Sequence, residues 1–152
     1  MRRQLILGLA LICCAAGQVP AYDLGQHQWR HRLLFLVATQ AADRDLAAQQ
    51  HYLGLRREAV LDRDLLVFQL LPDRGFLGEA ALSAQAVQVL RKQLGVTAED
   101  RLVILIGKDG GIKRRAELGT DLREIFLQID AMPMRRDEMR AKTKAGVPVT
   151  PP

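Results

Sequence analysis

Apolar residues occur along this chain in two arrangements that alternate, short unbroken runs and stripes at helical spacing. The runs are Leu33 to Ala38, Leu65 to Leu71 and Leu102 to Ile106. Each lacks polar alternation and mixes leucine with β-branched or aromatic residues, which predicts strands covered on both faces. The third run leads into Lys108-Asp109-Gly110-Gly111, where glycine supplies the positive φ of a tight reversal at little steric cost. A hairpin follows from this, with Leu102 to Ile106 as a central strand and Ile112 to Arg115 as its edge partner. Three charges in the returning strand keep that edge from pairing with another molecule.

Stripes fill the intervals. Leu46, Leu53 and Val60 share one face of a helix predicted from Ala41 to Val60, in which Gly54 costs about 1 kcal/mol relative to alanine. Pro72 to Leu82, with Gly75 and Gly78, reads as a loop. Ser83 then caps a helix that carries Ala86, Val87, Leu90 and Leu94 on one face and ends at Gly95. Leu122, Ile125, Phe126, Ile129 and Met132 predict a last helix capped by Asp121, with Glu124 at capping-box spacing and Pro133 as its stop. Beyond Arg140 there is no apolar period, and Pro148, Pro151 and Pro152 point to an unstructured tail over 141–152. Strand, helix, strand, helix, strand, hairpin strand and helix in that order define an α/β layered domain over 22–140. The first two strands and the helix between them form a βαβ unit.

The N-terminus changes the picture of where this domain works. Arg2 and Arg3, the apolar stretch Leu5 to Ala16 and the small residues of Val19-Pro20-Ala21 have the layout of a signal peptide over 1–21, cleaved near Ala21. As a helix, Leu5 to Ala16 covers about 18 Å against a hydrocarbon core of roughly 30 Å. A transmembrane segment is therefore not expected, and the protein is expected in the periplasm or secreted. Both cysteines, Cys13 and Cys14, fall within the removed part, so the processed chain has neither thiol nor disulfide. The alternative is a lipid anchor at Cys14, although Cys13 stands where such signals carry a small residue.

Charge narrows the partners. The whole chain carries a formal +5, but Tyr22 to Met132 holds 15 basic and 15 acidic residues. The excess lies in Arg135, Arg136, Arg140, Lys142 and Lys144. A nucleic-acid-binding domain would concentrate cations on a folded face among aromatics, so nucleic acid is excluded as the partner.

Three stretches carry a resemblance: Trp29 to Phe35 (WRHRLLF), Leu105 to Lys113 (LIGKDGGIK) and Ile129 to Arg140 (IDAMPMRRDEMR). Through them the sequence resembles the thioredoxin-like family known as domain of unknown function 4174, and is similar to the C-terminal domain of sushi-repeat-containing extracellular proteins. The resemblance implies a thioredoxin-like three-layer sandwich, with a central four-stranded mixed sheet and flanking helices, and no established activity.

Thioredoxins place Cys-x-x-Cys just after the first buried strand, where a helix N-terminus lowers the thiol pKa. Here that place reads Thr39-Gln40-Ala41-Ala42-Asp43, so thiol–disulfide exchange is excluded and no cofactor is expected. A helix start there, with Thr39, Gln40 and Arg44, offers an anion site; the plainer account is that Thr39 or Asp43 caps the helix. Arg135, Arg136 and Arg140 set guanidiniums, suited to carboxylate or phosphate, beside Met134 and Met139; the plainer account is that they complement a helix C-terminus. His27 and His31 stand four apart, and with Met132, Met134 and Met139 they offer copper ligands. Ser83, the only serine, sits at a helix cap, and His51 lies mid-helix, so hydrolase chemistry finds no support. The sequence thus reads as an exported, redox-inactive binding module for a protein or an anionic ligand. A copper-handling protein or an enzyme of non-thiol chemistry is the alternative.

Overall fold

The computed structural model describes residues 22–152, so the stretch read as a signal peptide and both cysteines lie outside the described residues. A short 3-10 turn, Leu24–His27, precedes β1, Arg32–Val37. Then follow α1 (Arg44–Leu55), α2 (Arg57–Asp62), β2 (Leu65–Leu70), β3 (Gly75–Leu77) and β4 (Ala80–Ala81). The second half comprises α3 (Ala84–Leu94), β5 (Leu102–Ile106), β6 (Ile112–Glu117), α4 (Leu122–Ala131) and α5 (Pro133–Lys144).

The strands form one mixed sheet in the order β4-β3-β2-β1-β5-β6, with β1 and β2 parallel and every other pair antiparallel. All six residues of β1 are buried, as an unbroken apolar run in the middle of a sheet requires. Alternate residues feed two cores. Leu34, Leu36, Val103 and Leu105 face α1 and α4, while Leu33, Phe35, Phe68 and Ile104 face Leu90 and Leu94 of α3. Phe35 and Phe68, cross-strand partners in the β1–β2 register, stack with ring centroids 4.6 Å apart. The three predicted layers are present.

Five features differ from the sequence reading. The sheet has six strands rather than four, because the stretch from Pro72 to Leu82 folds into β3 and β4, too short and too glycine-rich to show a period. The helix expected from Ala41 to Val60 is two, broken at Arg56 and beginning only at Arg44. Asp121 does cap α4, accepting from the Arg123 amide at 2.9 Å, but Glu124 pairs with Arg114 instead of closing a capping box. Pro133 ends one helix by starting another: Met132 is extended and Pro133 occupies the first turn of α5, where its missing N–H costs nothing. The chain beyond Arg140, expected to be unstructured, continues α5 to Lys144, and Thr150 then reaches back to Asp62 and Arg63.

Candidate functional site

β1 separates the two places that the sequence singles out. Thr39, Gln40 and Arg44 follow its C-terminal end, whereas the arginines of α5 gather at its N-terminal end, where Arg32 opens the strand. Six residues of strand put roughly 20 Å between them. They form no common surface.

At the C-terminal end, the chain bends through Thr39 and Gln40 before Asp43 caps α1. One Asp43 oxygen accepts from the amides of Asp45 and Leu46 at 2.9 and 3.1 Å. Arg101, placed just ahead of β5, reaches the same carboxylate at 2.7 Å and also takes Asp45 at 2.7 Å. Bonding to Arg101 holds the Asp43 carboxyl below its ordinary value, and the two α1 amides add to this against the opposing effect of burial. The helix N-terminus read as an anion site is thus taken up by the protein's own carboxylate. Arg44 and Gln40 remain exposed beside it, and Thr39 is half-buried.

The N-terminal end of β1 holds what the sequence reading missed. Arg32, Arg63 and Arg135 are 1%, 0% and 0% exposed. Arg32 grips Glu138 with both terminal nitrogens at 3.1 Å. Arg63 donates to Asp130, to the Ala59 carbonyl and to the Thr150 carbonyl, and stacks over Phe126 at 4.9 Å. Arg135 bonds Asp62 and its carbonyl together with Asp130. Lys108, carried in by the β5–β6 turn, joins Asp64 at 2.7 Å to Glu138 at 2.8 Å, and Lys142 closes on Asp62. Burial alone would raise the Asp62 and Glu138 carboxyls; their cationic partners outweigh it and hold both below the ordinary range. Arg135 therefore belongs to a buried clamp that fastens α5 to the sheet and is not part of a binding surface. Arg136 and Arg140 do face solvent, Arg140 against Asp137 of its own helix.

The copper ligands do not assemble. His27 and His31 lie ring against ring with centroids 5.7 Å apart, but His27 Nε2 is engaged with the Tyr22 hydroxyl at 2.9 Å. Burial, then the neighbouring His31, lower the His27 pKa. Met132 and Met134 instead border a cleft with Arg32, Lys108 and Lys113. Among the described residues no group of three or more histidine, cysteine or acidic side chains is placed to hold a metal. Also among them, no helix is long and apolar enough to cross a membrane.

Sheet order, flanking layers and the β1–α1 junction define an α/β protein of thioredoxin-like fold. The structure is similar to reduced 2-Cys peroxiredoxin of Plasmodium vivax, with a TM-score of 0.55 at 16% identity over 81% of this chain and 72% of that one. A family model described as Domain of unknown function (DUF4174) matches residues 23–138, and the chain belongs to that family. It is also 30% identical over 143 residues to coiled-coil domain-containing protein 80 of Danio rerio, a match that takes in 82% of this chain. The chain spans about a sixth of that relative's length, 16%.

Proposed function

We propose that this chain is an exported, redox-inactive thioredoxin-like module that binds another protein through the end of the sheet where β1 runs into α1. One observation carries the reading: where the fold would present a thiol to a substrate peptide, Asp43 caps the helix and Arg101 covers the carboxylate. A carboxylate in that place has no route to disulfide exchange, since the nucleophile of that chemistry is a thiolate. The surface itself persists, with Thr39, Gln40 and Arg44 free to meet a partner. Kinship to the C-terminal domain of sushi-repeat-containing extracellular proteins, and export after cleavage near Ala21, belong to the same proposal. The arrangement of Arg2, Arg3 and Leu5 to Ala16 supports export, and the three resembling stretches support the kinship.

Two measurements test it. The purified exported protein should reduce insulin disulfides and consume hydrogen peroxide no faster than buffer. Affinity capture from an envelope extract should recover one partner repeatedly with the wild type and with Arg136→Glu, and lose it with Arg44→Glu. Thiol-type turnover, or recovery that Arg44→Glu leaves untouched, overturns the proposal.

A further inference from the structure

Between α1, α2 and the outer strands of the sheet lies a cleft of about 430 Å³. Its floor is aliphatic. Leu36 and Leu53 are buried at its base, and Val60 and Val67 pack half-buried against the same core. Among the described residues no aromatic ring lines it. Gly54 belongs to its α1 wall, and a Cβ there would meet nothing within 4 Å, so the glycine leaves open space beside the floor.

Four polar side chains surround that floor. Arg57, at the start of α2, and Glu79, at the tip of the β3–β4 hairpin, are exposed, and neither enters an ion pair or a side-chain hydrogen bond among the described residues. Gly78, with a φ of 58°, turns the hairpin, and its amide donates to the Val67 carbonyl at 2.9 Å, which fixes the tip beside the cleft. Gln69 is the cross-strand partner of Leu36. Gln50 of α1 donates its amide nitrogen to the Gln69 side-chain oxygen at 2.6 Å. The Gln69 amide nitrogen remains as a donor and the Gln50 oxygen as an acceptor. Gln50 is exposed and Gln69 half-buried, so both are within reach of an incoming molecule. One cation, one anion, a neutral donor and a neutral acceptor thus stand around an aliphatic floor, accessible and not taken up by the chain.

We infer that this cleft binds a small zwitterion with an aliphatic body, the class of the free branched-chain amino acids, with its carboxylate on Arg57, its ammonium on Glu79 and its side chain on the floor. Simpler occupants fit less well. A plain anion would face Glu79 and a plain cation Arg57, whereas a zwitterion meets both charges. A divalent metal would find a single carboxylate, too sparse a set for an ion that takes six or more oxygens. A leucine side chain within a partner's chain would fill the floor but bring no charge at its Cα. The volume lies within the range of about 300 to 1,000 Å³ of small-ligand sites, which are mostly apolar with a few polar groups that fix orientation. The inference goes beyond the module reading, whose contact residues Thr39, Gln40 and Arg44 do not line this cleft.

The experiment is an amide NMR titration of the purified protein with L-leucine and four relatives. These are 4-methylpentanoate, which lacks the ammonium, 3-methylbutylamine, which lacks the carboxylate, glycine, which lacks the side chain, and Nα-acetyl-leucine methylamide, which lacks both charges. Leucine is expected to give saturable shifts at Gly54, Arg57, Gln69 and Gly78, and each relative to bind at least about tenfold more weakly. Arg57→Gln should weaken leucine about tenfold and no longer distinguish it from 3-methylbutylamine. Glu79→Gln should do the same with respect to 4-methylpentanoate. Both side chains are exposed, so the melting temperatures should match that of the wild type. No saturable shift with leucine overturns the inference. So does equal binding of leucine and its doubly capped form, the outcome if the cleft docks a partner's side chain, and so does leucine binding that both variants leave intact. Leucine binding is read without any partner present, so partner capture that survives Arg44→Glu sinks the module reading alone.

Discussion

The two ends of β1 are both closed by arginine–carboxylate pairs, yet only one of them buries its cations. At the C-terminal end the acid alone is inside: Asp43 is 6% exposed, while the side chain of Arg101 that meets it is 45% exposed. At the N-terminal end the cations are inside, Asp62 of α2 is buried with Arg135, and Glu138 of α5 reaches Arg32 from a half-buried position. A buried carboxylate at a helix start has backbone amides as well as its arginine, so losing the arginine leaves it still bonded. A buried guanidinium also bonds backbone carbonyls here. Those are neutral, so only the acids placed around it balance its charge, and removing one leaves an uncompensated charge in low dielectric. The first end is thus built to stay open to change at its surface, and the second to hold α5 in place.

The sharpest way to break this contrast is Asp62→Ala. It strips Arg135 and Lys142 of their shared acid and withdraws the acceptor of the Thr150 amide. Breaking a buried ionic network by removing one member costs about 3 to 5 kcal/mol, and urea unfolding should show a loss of that order. Asp43→Ala at the other end removes a helix cap, which costs about 0.5 to 2 kcal/mol. Measured in the same buffer, Asp62→Ala should show the larger loss. Equal losses would mean that the clamp's acids contribute no more than a cap does.

Why the clamp escaped the sequence is a physical matter. Strands β1, β2 and β5 were legible because burial on both faces demands an unbroken apolar run, and α3 and α4 because one apolar face must meet the sheet. Helix α5 satisfies neither demand: its one fully buried residue is Arg135. A helix held by ion pairs looks, residue by residue, like a solvated one, so Arg135, Arg136 and Arg140 read as a candidate binding surface or as complements of a helix C-terminus. Lys108 gave no signal either, since nothing about a lysine in a glycine turn marks it as buried, yet it is 9% exposed. The cleft that Arg57 and Glu79 line left no trace at all, because which charges stay uncommitted is a property of the packed chain. What could have hinted at the clamp is the alternation of sign around Asp62-Arg63-Asp64 and Arg135 to Glu138, on segments far apart in sequence.

Acidification sharpens the comparison with a smaller effect. Glu138 is half-buried, and the bonds from Arg32 and Lys108 hold its folded-state pKa below the value near 4.5 that it has when unfolded. Between those two values the unfolded chain binds the extra proton, so stability rises with pH there. Its contribution is complete above the unfolded pKa and is lost as pH falls through the folded one. Glu138→Gln should therefore be less stable than the wild type near neutrality and show a flatter decline in melting temperature below about pH 4.5. A parallel decline in both proteins would mean that Glu138 does not couple folding to protons.

The smallest effect belongs to the pair that resembles the clamp in sequence and differs from it in burial. Arg140 and Asp137 lie three apart on α5, as Arg135 and Glu138 do, but their side chains are 74% and 68% exposed. In water such a pair gains little Coulomb energy, pays side-chain entropy to form and is screened by salt. Arg140→Ala should change stability by less than about 0.5 kcal/mol, and the residual difference should vanish when salt shortens the screening length to a few ångströms. A loss approaching that of Asp62→Ala would show that the outer face of α5 is covered in the folded protein, and that burial alone does not decide which arginines of this helix matter.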